Sequence, residues 1–141
     1  MEQRTISVVQ STWKLVEPIA PKAAELFYSN LFNADPRLRG LFRGDMVKQG
    51  ERLMQMIRMA VGKLNDLDAL VPVLQALGTR HKGYGVKDAD YDTVGGALLK
   101  TLGQGLGAAF TAEVERAWAT VYKTMATVMI EAARKAEPVP A

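Results

Sequence analysis

Nearly every stretch of this chain repeats its apolar residues at the spacing of an α-helix, and no stretch sustains the apolar–polar alternation of a strand. Between residues 21 and 33, for example, Ala24, Phe27, Tyr28 and Leu31 are spaced i, i+3, i+4 and i+7. The pattern predicts an all-α protein. We expect helices at about 5–19, 21–33, 46–64, 69–82, 88–102 and 112–135, with a short helical turn over 36–41.

The length of 141 residues suits one domain, which we expect to span residues 1–141 with a frayed tail from about 136. The absence of cysteine excludes disulfides and thiolate metal sites. The 18 basic and 15 acidic side chains give a net charge of +3 and are interspersed, so nucleic acid is not an expected partner. No signal sequence or run of about eighteen apolar residues is present, so we expect a cytoplasmic protein without a membrane partner.

Helix ends are marked by turn-forming and capping residues. Asp68 is the expected N-cap of the fourth helix, with Pro72 near its first turn and Gly83 at its end. The glycine-rich segment 103–107 has no phosphate-binding spacing, and it predicts a corner between helices. Thr111 is the expected N-cap of the last helix.

His81, the only histidine, lies on the apolar face of the predicted fourth helix. Leu70, Leu74 and Leu77 share its stripe at helical spacing, so its imidazole is expected to point toward the interior. A buried polar group without a partner costs about 1–3 kcal/mol, so the ring must be satisfied by a hydrogen bond or by a metal ion. On its own, this pattern is more typical of a hydrogen-bonded core histidine than of a metal ligand.

Two further polar residues interrupt apolar stripes. Tyr28 lies on the inward face of the second helix, and Gln49 lies near the edge of the inward face of the third. A core tyrosine usually binds a backbone carbonyl, and an edge glutamine usually reaches water. Together with His81, however, they supply what an iron site for diatomic gases needs, namely an imidazole ligand and two hydrogen-bond donors.

Five segments make the chain recognisable in combination: Leu26–Phe32, Asp35–Phe42, Leu77–His81, Tyr91–Gly95 and Ala117–Tyr122. From about residue 7 to residue 133, the sequence resembles the bacterial globins of the flavohaemoglobin-like branch. The resemblance implies a globin fold whose helices pack around a pocket for haem b.

The resemblance also implies roles for individual residues. His81 would be the proximal ligand of the iron, and Phe42 would wedge against the porphyrin. Tyr28 and Gln49 would contact the distal ligand, with Leu53 one turn further along that wall. The residues expected to contact the haem besides His81 are Phe42, Leu53, Leu77, Val86, Tyr91 and Val94.

The sixth coordination position of the iron stays open to several candidates. With a single histidine, a bis-histidine haem within one chain is excluded. We expect this position to be open or filled by water, with Tyr28, Met46 and Lys48 as alternatives. On the proximal side, Arg80 or Lys82 would pair with a haem propionate, or each would be a solvated charge.

The chain departs from the family beside the proximal histidine. The family commonly places a tyrosine and a glutamate there. Tyr91 matches the tyrosine, but Lys135 stands at the position of the glutamate, and Glu131 and Glu137 are out of register. The departure argues against an electron-rich imidazole and against peroxidase-like chemistry.

Three functions follow as hypotheses. The first is reversible, high-affinity binding of O2, with NO and CO as further ligands. The second is nitric oxide dioxygenation, for which a separate reductase would supply electrons because the sequence contains no reductase half. The third is a haem-free interaction module with a globin fold. The presence of His81, Tyr28 and Phe42 at the family's positions argues against it.

Overall fold

The computed structural model describes residues 1–136, and within them every regular element is helical. The expectation of an all-α protein is confirmed for these residues. The expected frayed tail, residues 137–141, lies outside the described range. No helix in residues 1–136 has the length and apolar character needed to cross a bilayer. The helices are α1 (Gln3–Val16), α2 (Ala20–Ala34), α3 (Met46–Gly62), α4 (Leu67–Gly83), α5 (Asp88–Leu106) and α6 (Ala112–Lys135), with 3-10 turns at Glu17–Ile19, Pro36–Leu41 and Gly107–Ala109.

Three of the six α-helices in the described range, α3, α4 and α6, begin at a side-chain cap. The carboxylate of Asp45 accepts from the backbone N–H of Val47 at 2.8 Å, and Thr111 caps α6 as expected. The expected cap of α4 was wrong by two residues. Asp66, whose backbone is not helical, accepts from Ala69 N–H, and Asp68 therefore lies in the first turn, where its charge favours the helix N-terminus.

Three other boundaries differ from the expectation. The first helix ends at Val16, and residues 17–19 tighten into a 3-10 turn that contains Pro18. Pro72 lies inside α4 rather than in its first turn, because the helix begins at Leu67. The corner expected over residues 103–107 begins only at Gly107, since α5 continues through Leu106.

The centre of the core lies between α1 and α6. Val9, Val121 and Trp118 are almost completely buried, and the rings of Trp118 and Trp13 pack with centroids 6.3 Å apart. The Trp118 indole N–H donates to the Thr12 hydroxyl at 2.8 Å, which satisfies a polar group that would otherwise be buried without a partner.

Two helix pairs cross at glycines, where their backbones approach closely. A Cβ on Gly78 of α4 would collide with the backbone of Met129 in α6, lying 2.7 Å from its Cα atom. A Cβ on Gly50 of α3 would lie 2.9 Å from Cβ of Ala24 in α2. These crossings hold α4 against α6 and α3 against α2.

As a result, α3 and α4 barely touch, although they are consecutive in the sequence. Consecutive helices are usually neighbours in space, so this separation is a specific feature of the fold. His81 and Leu77 lie on α4, while Gln49 and Leu53 lie on α3. The residues singled out in the sequence therefore belong to two walls that pack on other helices rather than on each other.

We expect Gly78→Ala to destabilise the protein by about 1–3 kcal/mol, because the added methyl meets backbone rather than a movable side chain. Gly96→Ala is the matched control. Gly96 is exposed within α5, and a Cβ there meets no atom within 4 Å, so the same substitution should stabilise by about 0.5–1 kcal/mol. Urea unfolding followed by circular dichroism measures both, and equal effects would contradict the close crossing.

Candidate functional site

His81 lies near the end of α4 and is half-buried. Its Nδ1 atom is 2.9 Å from the carbonyl oxygen of Leu77. A carbonyl can only accept, so Nδ1 must carry the proton and the lone pair must reside on Nε2. Nε2 has no hydrogen bond to any residue in the range 1–136. The backbone of α4 thus fixes the tautomer in which Nε2 can bind a metal.

The surroundings of His81 favour its neutral form. Burial lowers the pKa of the imidazole, and the nearby charge of Arg80 lowers it further, whereas the bond to Leu77 raises it. A neutral imidazole retains the lone pair that a metal requires.

Tyr28 is buried at the centre of an aromatic cluster. Its ring stacks on Phe32 at 5.9 Å and meets the edges of Phe27 and Phe42 at 5.3 Å each. Phe42 also packs against Phe32 at 5.4 Å, which closes the cluster. Three rings therefore fix the direction of the phenol, and little conformational entropy remains to be lost when its hydroxyl binds a partner.

The hydroxyl of Tyr28 makes no hydrogen bond to another residue in the described range. Its oxygen keeps some accessible surface, in contrast to the fully enclosed hydroxyl of Tyr91. Burial raises the pKa of Tyr28 to about 12, so the phenol keeps its proton at neutral pH. Tyr28 is consequently a fixed and available hydrogen-bond donor.

Gln49 is half-buried in the first turn of α3, and its side chain already has a partner. Its amide Nε2 donates to the carbonyl oxygen of Arg43 at 3.1 Å, which ties α3 to the segment before it. An amide group has two N–H donors, so one remains for a ligand. The sequence could not indicate this bond, because it depends on the path of residues 43–45.

The apolar residues expected around a haem share one property. They pack against the core yet keep exposed surface that no part of the described chain covers. Half-buried apolar side chains on separate walls are typical of a ligand pocket rather than of a closed core. The half-buried residues are Phe42, Leu53, Leu77, Val86 and Val94.

Tyr91, in the first turn of α5, is buried, and its hydroxyl lacks a partner within residues 1–136. Its backbone carbonyl accepts a 2.6 Å hydrogen bond from the hydroxyl of Tyr122. The Tyr122 ring lies directly on Gly95, where a Cβ would be only 2.7 Å from the ring. Tyr122 is a residue whose role the sequence did not indicate, although it ends one of the recognisable segments.

No carboxylate in the described range hydrogen-bonds to His81 or to the Tyr91 hydroxyl. Glu131 and Lys135 are exposed, and Glu137 lies outside the described range. Lys82 directs its ammonium group to the backbone of α6, where it donates to the carbonyl of Ala133 at 3.3 Å. Within residues 1–136, the imidazole of His81 is oriented by a backbone carbonyl.

These residues fit a haem. His81 offers one imidazole nitrogen of fixed tautomer, and apolar surface remains uncovered on several elements. The hydroxyl of Tyr91 is enclosed and has no partner among the described residues. Cysteine is absent, so the group would be held without a covalent thioether link.

A family model described as Globin matches residues 25–129. The chain is similar to the flavohemoprotein of Vibrio cholerae, with 29% identity over 134 residues that cover 93% of this chain and 34% of the relative. The flavohemoprotein of Halalkalibacterium halodurans is 28% identical over 96% of this chain and 34% of its own length. The chain thus spans about a third of the length of these relatives.

Two solved structures share the fold. A bacterial globin from Campylobacter jejuni superposes with a TM-score of 0.83 at 22% identity, covering 95% of this chain and 97% of that one. A hexacoordinated haem protein from an anhydrobiotic tardigrade superposes with a TM-score of 0.86 at 18% identity, covering 95% and 96% of the two chains.

The two tyrosines of α5 and α6 should respond oppositely to the same substitution. Tyr122→Phe removes the bond to the Tyr91 carbonyl and should lower the free energy of unfolding by about 1 kcal/mol. Tyr91→Phe removes a buried hydroxyl without a partner, so stability should stay the same or rise by up to about 1 kcal/mol. Denaturant titration of both variants measures this, and a clear loss in Tyr91→Phe would reveal a partner for that hydroxyl.

Proposed function

The chain belongs to the globin family, and we propose that it is a haem b protein that binds O2 reversibly and tightly, with NO and CO as further ligands. One observation carries the proposal. The imidazole of His81 is fixed with its lone pair on Nε2, and the phenol of Tyr28 is a fixed donor without a partner in the described chain. The first group suits an iron atom, and the second suits its gaseous ligand.

The haem would be held by His81 through Nε2 and by half-buried apolar side chains from several parts of the chain. Phe42, Leu53 and Val94 represent the turn before α3, α3 itself and α5. Bound haem would supply an iron centre that takes up diatomic gases. The fit of these residues speaks against a haem-free interaction module.

Tyr28 and Gln49 would set the affinity for O2. A hydrogen bond to a partly charged acceptor contributes about 1.5–3 kcal/mol. Two such donors would slow O2 release by about two to four powers of ten if their effects add. Such slow release suits scavenging, or reaction of the captured gas, better than delivery.

Tyr28 and Gln49 differ in how freely each can donate a hydrogen bond to a ligand. The Tyr28 ring is held by Phe27, Phe32 and Phe42, whereas Gln49 shares its amide with the carbonyl of Arg43. Gln49 must also immobilise several torsions to reach a ligand. We therefore assign the larger effect to Tyr28. The sixth position is proposed to be open or water-filled in the absence of a gas.

Nitric oxide dioxygenation is the second candidate. Its support is the similarity to proteins named flavohemoprotein, of which this chain spans about a third. The overall change joins NO and O2 into nitrate and consumes one electron for each turnover. A reductase must supply that electron. Sustained NO consumption with a reductase and NADH, at a rate far above autoxidation, would favour this candidate.

His81→Ala is expected to abolish ordinary haem binding, because the chain contains no second histidine. The absorbance spectrum of the purified variant after haem addition measures this. Added imidazole should partly restore the spectrum, since it replaces the missing ligand. An unchanged histidine-type spectrum without imidazole would overturn the assignment of the iron ligand.

Tyr28→Phe is expected to raise the O2 dissociation rate by about ten- to a hundredfold, because it removes the fixed donor and keeps the ring in its cluster. Gln49→Leu should also speed release, by a smaller factor, since its amide is partly committed to Arg43. Stopped-flow measurements on wild type, both single variants and the double variant compare the donors.

The double variant tells whether the donors share one oxygen atom of the ligand. If they do, its effect should fall short of the product of the single effects. An unchanged rate in Tyr28→Phe would mean that this phenol does not face the ligand. A larger effect in Gln49→Leu would reverse the assignment of the dominant donor.

A further inference from the structure

Five exposed basic side chains lie in the two segments of the chain that also carry Gln49 and His81: Arg39, Arg43, Lys48, Arg80 and Lys87. We call them the basic rim. None of them forms an ion pair within residues 1–136. Residues 35–52 and 79–87 together carry eight of the 18 basic residues of the chain but three of its 15 acidic residues. Basic side chains therefore outnumber acidic ones by five within these two segments; of the carboxylates that follow, Asp88 pairs with Arg134 and Asp90 is buried.

The structure brings these two segments together. A Cβ on Gly85 would lie 3.6 Å from the side chain of Leu41, so the turn after α4 rests on the turn before α3. The charge of Asp90 also acts on Arg37 across the same junction. Arg39 is held at the junction by the face of Phe32, 5.6 Å from the ring centre.

Two large apolar side chains are exposed within the basic rim. Tyr84 is 63% exposed and Val47 is 71% exposed. Tyr84 and Arg80 are four residues apart and share one face of the helix end. An exposed tyrosine next to a cation is typical of protein-binding surfaces, in which aromatic side chains form the centre and charges form the edge.

The exposed side chain of Tyr84 also lies close to His81. The two rings are 6.1 Å apart, and the backbone N–H of Tyr84 hydrogen-bonds to the carbonyls of Arg80 and His81. The surface around Tyr84 is therefore the outer face of the site itself.

We propose that the basic rim, with Tyr84 at its centre, docks the acidic face of an electron-donor protein of the flavin or iron–sulfur class. The inference rests on the proposed function, because a haem on His81 would be the electron acceptor. Charge complementarity identifies the partner as acidic. The proximity of Tyr84 to His81 favours an electron donor over other acidic partners.

The test compares two double variants of equal net charge. Arg43→Glu/Lys87→Glu reverses charges in the basic rim, and Lys14→Glu/Lys100→Glu reverses two exposed, unpaired charges on α1 and α5. The probe is flavodoxin, an acidic flavoprotein. Its binding is measured by anisotropy of a fluorescent label at low salt, and its reduction of the haem is measured by stopped flow.

We expect the rim variant to weaken flavodoxin binding and to slow haem reduction at least about tenfold, and the control variant to change both by less than about twofold. Reduction by dithionite should be the same in all proteins, since this small reductant needs no docking. Tyr84→Ser should weaken binding without changing its dependence on salt.

Equal binding by the rim and control variants would overturn the proposal. Retention on vesicles of phosphatidylglycerol that depends on the rim, with flavodoxin reduction unchanged, would assign the rim to membranes and would also overturn it. A protein that takes up no haem would contradict the proposed function. The anisotropy measurement still decides whether the rim binds an acidic protein in that case.

Discussion

The backbone of α4 rests directly on the backbone of α6 at Gly78, and the location of the site depends on this contact. Because α4 is held against α6, it does not close onto α3, which is held against α2 by the crossing at Gly50. His81 follows Gly78 by less than one turn, so this contact also fixes the end of α4 that carries the imidazole. Gly78 and Gly50 thus determine the positions of the helices that carry His81 and Gln49.

Polar groups around the site are satisfied mostly by backbone carbonyls. The carbonyl of Leu77 accepts a hydrogen bond from His81. The carbonyl of Arg43 accepts one from Gln49, and that of Tyr91 accepts one from Tyr122. These bonds orient side chains without adding charge. No carboxylate in the described chain makes the imidazole more electron-rich through a hydrogen bond. Within residues 1–136, the hydroxyls of Tyr28 and Tyr91 have no such partners. A site of this kind suits ligand capture better than chemistry that needs an electron-rich imidazole.

The sequence predicted helix periodicity, the inward direction of His81 and the α6 bounds, since each depends on local spacing or on one capping residue. The cap of α4 was placed two residues late, because Asp66 and Asp68 offer the same carboxylate and only the path of the preceding turn distinguishes them. The bond from Gln49 to Arg43 depends on the path of the turn between them, and the basic rim depends on a contact between segments that are distant in the sequence. Charges that look interspersed along the chain are thereby concentrated in space.

The hydrogen bond between His81 and Leu77 has a practical consequence. The Nδ1 proton is held in a hydrogen bond, which slows its exchange with water, so we expect to follow it by nuclear magnetic resonance. Because the chain contains one histidine, the imidazole signal needs no assignment by mutagenesis. The chemical shift of the Nδ1 proton should therefore respond to any change at the end of α4, whether the change comes from a cofactor, a gas or a docked partner.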